Sequence, residues 1–293
     1  MTLPQVGYIG LGIMGRPTAL NLIKAGYSLH VYARRTESTQ PLTDAGAVAY
    51  DSPKALAAVA DIIFLNVSDT PDVEQVLLGK GGIAESARQG QIVIDMSTIL
   101  PVQTRQMALR LAEKDITLLD APVSGGEAGA IAGTLSIMVG GPQAAFERAK
   151  PLLDVLGKNI VHVGESGAGQ VAKACNQIVV AGTIAAVAEA ITFARRNDVD
   201  AAKVREALMG GFAGSKILEV HGKRMLDHDF KPGFKSRLHQ KDMHIVLDTA
   251  RQLGLSLPIS SQTTQLINGL LGLGEGELDS SAIIKVIERM SQQ

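Results

Sequence analysis

Tryptophan is absent from this 293-residue sequence, and aromatic residues make up only 3% of it. Platforms on which nucleobases could stack are therefore scarce. Cysteine occurs once, at Cys175, so no internal disulfide can form. A thiol inside an apolar run is expected to be buried and unreactive. Neither sign of charge is in excess. The formal net charge is -1, which gives no electrostatic reason to expect nucleic acid or an anionic membrane as a partner. No basic segment followed by a leader-like apolar stretch opens the chain, so a cytoplasmic protein is expected. The six histidines are scattered. His239 and His244 stand five residues apart without a Cys or Glu at ligand spacing, so no metal site is expected, although His239 lies close enough to Lys241 and Asp242 to line a site. A GxSxG elbow and a Walker loop are also missing, which argues against hydrolysis and phosphoryl transfer.

What is present is an ordinary globular composition, 46% hydrophobic and 19% charged, in a chain long enough for two domains. Apolar runs that read as strands (Val6–Ile9, Leu29–Ala33, Ile62–Val67, Ile92–Met96 and Ile116–Leu119) alternate with helical patterns over 16–25, 41–45, 54–60, 71–78 and 102–113. This alternation predicts an α/β fold, a Rossmann-type doubly wound parallel sheet with helices on both faces. Residues 125–129 read as a loop, Leu135–Val139 as a strand, 143–156 as a helix and Ile160–Val163 as the last strand. Beyond Gly169 the pattern is all helix: 170–196, 200–209, 214–227, 235–254, 260–272 and 280–290. Residues 1–165 are therefore expected to form a nucleotide-binding domain. Residues 166–293 are expected to form an all-helical domain for substrate binding and for pairing into a homodimer or homotetramer, with a long helix joining the two.

That helix dominates the second half. From Gly167 to Arg196 the sequence is rich in Ala, Val and Ile, and the only charge between Lys173 and Arg195 is Glu189. Such a helix would run about 40 Å and must be covered by other elements. Its Asn, Gln, Gly, Thr and Glu residues, with its many alanines, argue against a membrane span. Lys173, Asn176 and Gln177 fall at i, i+3 and i+4 and share one face. An ammonium and two amides at the edge of an apolar rod cost desolvation energy unless something polar meets them. A substrate is the expected partner; a core helix with a solvated polar end is the plain alternative. Partial burial would lower the pKa of Lys173 toward neutrality.

Gly10-Leu11-Gly12-Ile13-Met14-Gly15 follows the first strand and opens the first helix, the context in which GxGxxG carries weight. Gly10 permits the tight turn, Gly12 lets backbone approach a pyrophosphate, and Gly15 allows helix and strand to pack closely. The helix N-terminus then faces phosphate. The second strand ends Ala33-Arg34-Arg35-Thr36, and the first carboxylate in the chain is Glu37. Two arginines without an acid to hold ribose hydroxyls favour a 2′-phosphate, so NADP(H) is expected to be preferred, with NAD(H) the alternative. Asn66-Val67-Ser68-Asp69 and Asp95-Met96-Ser97-Thr98 follow strands and should close over the cofactor, although Ser68, Asp69 and Ser97 could equally cap helices. After the strand ending at Leu119, Ser124-Gly125-Gly126 offers a hydroxyl and two backbone N–H groups, a small nest for a carboxylate.

Four motifs, GLGIMG at 10–15, DAPVSGG at 120–126, GAGQxxKxxN from Gly167 to Asn176 and HQKD ending at Asp242, occur in order across essentially the whole chain. Together they resemble the β-hydroxyacid dehydrogenase family. The resemblance implies a nicotinamide-dependent oxidoreductase acting on a small hydroxy or oxo acid. It also implies that Lys173 is the catalytic general acid, that Ser124, Gly125 and Gly126 hold the substrate carboxylate, that Asn176 lies near the substrate, and that Lys241 lies near the nicotinamide. The retention of Lys173 beside Ser124 argues against a non-catalytic dinucleotide-binding module. Two positions depart from many relatives. Ala33-Arg34 stands where an Asn-Arg or Asp-Arg pair is common, and Gln177 stands where a second Asn is common. The second departure favours a branch acting on a three-carbon hydroxy-oxo acid over the hydroxyisobutyrate branch; a 3-hydroxyisobutyrate or 4-hydroxybutyrate dehydrogenase is the alternative.

Overall fold

The computed structural model describes residues 3–86 and 88–291. The chain divides into two compact units, Met1–Lys173 and Ala174–Gln293.

The first unit begins with β1 (Val6–Ile9), α1 (Gly15–Lys24), β2 (Leu29–Tyr32), α2 (Gln40–Thr43), β3 (Val48–Ala49), α3 (Pro53–Ala57), β4 (Ile62–Leu65), α4 (Thr70–Leu78), β5 (Ile92–Asp95), α5 (Pro101–Ala112) and β6 (Thr117–Asp120). These strands pair in the order β3-β2-β1-β4-β5-β6, all parallel, with β1 and β4 side by side at the point where the order reverses. Ligands in such sheets sit outside the carboxyl ends of the strands at that switch point. Strands buried on both faces carry apolar residues continuously, and successive side chains serve opposite cores. Ile62 and Phe64 of β4 join Tyr8, Leu22 and Ile94 on one face. Ile63 and Leu65 join Leu56, Val73, Leu77 and Leu111, from α3, α4 and α5, on the other.

After β6 the sheet changes hand of pairing. β7 (Val123–Ser124) is followed by α6 (Gly126–Ala132), β8 (Leu135–Gly140), α7 (Gln143–Leu156) and β9 (Gly157–Gly164). β8 runs antiparallel to β6 and β7 and parallel to β9. The expected loop over 125–129 is a short helix instead. Gly125, at φ +135°, turns the chain into it, and Gly133, left-handed at φ +63°, ends it, with alanine-rich sequence between. Of the glycines that suggested a loop, Gly125 caps the helix and Gly126 and Gly129 lie within it.

The long helix α8 (Ala168–Arg196) carries the chain onward, and the division between the units falls inside it. It is long and apolar enough to cross a membrane by length and composition, yet half of its most apolar window is buried within the protein. In the second unit it is followed by α9 (Ala201–Met209), α10 (Lys216–Asp227), α11 (Ser236–Gln252), α12 (Pro258–Gly272) and α13 (Ile283–Met290). Their core gathers Ile184, Ala188 and Ile191 of α8 with Met225, Met243, Ile267 and Ile284. Cys175 does not join it. Contrary to expectation the thiol is exposed, because its position on α8 faces away from the packed helices.

Tyr8 shows how the first turn of α1 is tied to the sheet. Its hydroxyl meets Thr18 Oγ1 at 2.6 Å, and the ring stacks on Phe64 with centroids 5.6 Å apart. Burial pushes the phenol up to about 12 despite hydrogen bonds with Thr18 and Asn66, so it stays neutral at physiological pH. Replacing Tyr8 with Phe is expected to cost about 1 kcal/mol of stability, read by urea unfolding, with the circular dichroism spectrum unchanged.

Candidate active site

The turn between β1 and α1 is built as a phosphate cradle. Gly10 adopts φ +96°, and a Cβ there would run into the backbone carbonyl of Asn66 on the neighbouring strand end. A Cβ on Gly15 would run into the carbonyl of Gly10. At Gly12, by contrast, nothing lies within 4 Å of that position, so the backbone is open on the side where a pyrophosphate would approach. Leu11 is buried beneath the turn, while Gly12 and Ile13 are exposed and Met14 is half-buried. The first turn of α1 contains no acidic residue, so its N–H groups and the positive end of the helix dipole are available to phosphate. These residues fit a dinucleotide.

Arg34, Arg35 and Thr36 stand exposed just past β2, where the adenosine ribose of a dinucleotide belongs in this fold. The Arg34 guanidinium meets Asp72 of α4 at 3.0 Å. Asn66, Val67 and Ser68 follow β4, and Thr98 follows β5, so all four lie at carboxyl ends of adjacent strands. The two readings of these loops separate by residue. Asp69 caps α4, accepting from Asp72 N at 3.3 Å. Ser97 braces one loop against the other, accepting from Val67 N at 2.9 Å.

The substrate side of the first unit is equally ordered. Ser124 ends β7, Gly125 caps α6, and Gly126 begins it with φ +61°, so the first-turn N–H groups of α6 follow directly on the serine hydroxyl. Lys173 is 8% exposed, and its Nζ donates to Val123 O at 2.8 Å, one residue ahead of Ser124. The structure thus brings Lys173 to the Ser124 loop, although fifty residues separate them.

Two residues in the quoted motifs had no role assigned from sequence and prove to hold this arrangement. Asp120, fully buried at the end of β6, accepts from Gly167 N at 2.8 Å and Gln170 N at 2.9 Å. Gln170, also buried, accepts from Ile99 N at 3.1 Å and donates to Ser97 O at 2.8 Å. The only sequence signal for Gln170 was its place one turn before Lys173.

In the second unit, Asn176 donates to Gln177 Oε1 at 2.7 Å, and Gln177 Nε2 donates to Asp242 Oδ2 at 2.6 Å. Lys241 Nζ lies 3.1 Å from Asp242 Oδ1. Asn176, Gln177 and Lys241 are therefore linked through a buried carboxylate to which no role had been given. Gln177 is 3% exposed with both ends of its amide engaged, whereas Asn176 is half-buried. His239 is buried, with Nδ1 2.9 Å from Ser280 Oγ and its ring against Phe234. Among the described residues, no three His, Cys, Asp or Glu side chains gather in a way that could hold a metal ion.

Residues 5–164 match the model of the NAD-binding domain of 6-phosphogluconate dehydrogenase, and residues 167–287 match that of NADP-dependent 3-hydroxyisobutyrate dehydrogenase. The chain is 48% identical to 2-hydroxy-3-oxopropionate reductase of Escherichia coli, covering 98% of both chains. It superposes on the crystal structure of a 3-hydroxyisobutyrate dehydrogenase from Salmonella typhimurium with a TM-score of 0.86, at 31% identity and covering 97% and 100% of the two chains. It also superposes on Psf3 in complex with NADP+ and 2-OPP with a TM-score of 0.87, at 26% identity and covering 96% and 99%.

The two glycines of the turn make separable predictions. Gly12→Ala should fold normally, because the new methyl meets nothing, and yet lose affinity for the reduced cofactor. Gly15→Ala should lower the melting temperature as well, because its methyl meets backbone. Cofactor titration by nucleotide fluorescence, run beside thermal unfolding, checks both.

Proposed function

The chain belongs to the β-hydroxyacid dehydrogenase family, and we propose that it reduces 2-hydroxy-3-oxopropanoate (tartronate semialdehyde) to glycerate, reversibly, with Lys173 as the proton donor. The observation that carries the reading is the buried Lys173 ammonium held 2.8 Å from Val123 O, next to Ser124 and the start of α6.

A nicotinamide cofactor, when bound, supplies the hydride. The rest falls to the chain's own residues. Ser124 and the N–H groups of Gly125 and Gly126 hold the substrate carboxylate. Lys173 gives its proton to the oxygen that gains charge as the carbonyl is reduced, and takes one back in the oxidation direction. Asn176, oriented by Gln177, hydrogen-bonds the substrate's hydroxyl group. Lys241, held by Asp242, serves the nicotinamide end of the cofactor. Leu11, Ile13 and Met14 line the dinucleotide turn with the three glycines, and Asn66, Val67, Ser68 and Thr98 border it from β4 and β5.

We further propose a preference for NADP(H) over NAD(H), supported by Arg34, Arg35 and Thr36 at the end of β2 with no acidic residue before Glu37. The reading extends to a cytoplasmic homodimer or homotetramer built on the helical second unit, supported by exposed apolar side chains there such as Val179, Phe193 and Ile259. A second substrate reading, 3-hydroxyisobutyrate or 4-hydroxybutyrate, is favoured by the match of residues 167–287 to a 3-hydroxyisobutyrate dehydrogenase.

A panel of small oxo and hydroxy acids assayed with both cofactors separates these substrates: highest kcat/KM on tartronate semialdehyde supports the first reading, and highest kcat/KM on a hydroxybutyrate replaces it. Lys173→Ala should lower kcat by about 10²- to 10⁴-fold while NADPH affinity stays nearly intact; near-normal turnover would remove Lys173 from the chemistry. Arg34→Ala should raise the KM for NADPH and leave that for NADH unchanged.

A further inference from the structure

We propose that Asp120 is a positioning residue for catalysis, registering Lys173 against the Ser124 loop by capping the first turn of α8 from the end of β6. This rests on the reading of Lys173 as proton donor.

The first N–H groups of a helix have no partner within it. At this end one buried carboxylate, Asp120, accepts at Oδ1 from the N–H of Gly167, the residue just before α8, and at Oδ2 from that of Gln170 in its first turn. The negative charge also lies at the positive end of a 29-residue helix. The fit is close on every side. A Cβ on Gly140 would stand 2.6 Å from Asp120 Oδ1, and one on Gly169 would stand 2.5 Å from the Asp120 carbonyl oxygen. The helix can approach the strand only because both positions are glycine.

Lys173 lies one turn beyond Gln170, so fixing the first turn fixes its rotation and height. The same strand end runs on through Val123, whose carbonyl receives the Lys173 ammonium, to Ser124. One carboxylate thus sets both the loop proposed to hold the substrate and the helix that carries the proton donor. Burial pushes the Asp120 carboxyl above its ordinary value, against hydrogen bonds from Gly167, Gln170 and Gly169 that pull it down. A raised value in the fold means that protonation favours folding. This group's contribution to stability therefore falls as pH rises above 3.8 toward its value in the fold. Where it ionises, the buried carboxylate burdens the fold. That burden is explicable by what it positions.

The test is a double-mutant cycle on the full chain with NADPH and tartronate semialdehyde. Asp120→Asn can accept from one N–H but turns a donor toward the other. It is expected to lower kcat about 10- to 100-fold, the scale of a small misplacement of a reacting group, with unchanged NADPH affinity by fluorescence titration. In a Lys173→Ala background the same substitution should lower kcat no further, because its effect passes through the lysine. The wild type should also lose stability relative to Asp120→Asn as pH climbs above 3.8. Should Asp120→Asn fail to fold, Asp120→Ser, which keeps an acceptor without the opposing donor, serves in the same cycle. Wild-type kcat in the folded variant, or an equal further loss in the Lys173→Ala background, overturns the proposal. Near-normal turnover of Lys173→Ala alone instead overturns the reading of the lysine on which it rests.

Discussion

A long apolar helix must begin somewhere, and its first backbone N–H groups must be met by something. In this protein the start of α8 is buried against the sheet, and a carboxylate meets it. Asp120 takes two N–H bonds from that turn, and Gln170 ties the same turn to Ser97 and Ile99 beyond β5. Ser97 in turn holds Val67 beyond β4. The carboxyl ends of three neighbouring strands are thereby locked to one helical turn. Every polar atom in this chain of contacts is used twice over, for local satisfaction and for placement. Because an unpaired polar group buried here would be costly, the arrangement has little freedom to drift.

The dinucleotide turn follows a different logic. There the protein leaves space. Gly10 and Gly15 are glycines because backbone lies where their side chains would be, and Gly12 is a glycine because nothing does. The N–H groups of α1 remain without an acidic side chain in the first turn. Order around the turn comes from beneath, through the Tyr8–Thr18 hydrogen bond and the stacking of Tyr8 on Phe64. Arg34, at the rim, is held by Asp72 in an exposed ion pair.

In the helical unit a buried carboxylate again organises the polar residues. Asp242 accepts from Gln177 and pairs with Lys241, and Gln177 orients Asn176. The amide at 177 reaches Asp242 at 2.6 Å. The side chain is engaged at both ends, by Asn176 and by Asp242.

The sequence by itself determined the alternating strands and helices of the first unit, their parallel order and the glycine turn, because two-residue and 3.6-residue periodicities and backbone sterics are local properties. Helices of the second half were equally legible, to within a residue or two at most ends. The short helix after Ser124 was not, because Gly125, Gly126 and Gly129 read as loop residues when their dihedral angles are unseen. Nor was the exposure of Cys175, since an apolar helix does not reveal which of its sides is covered. Above all, Asp120, Gln170 and Asp242 stood in plain view within the motifs without a function. Their work is done across gaps of many residues, and only the tertiary structure decides which backbone N–H or side chain a buried carboxylate or amide will meet.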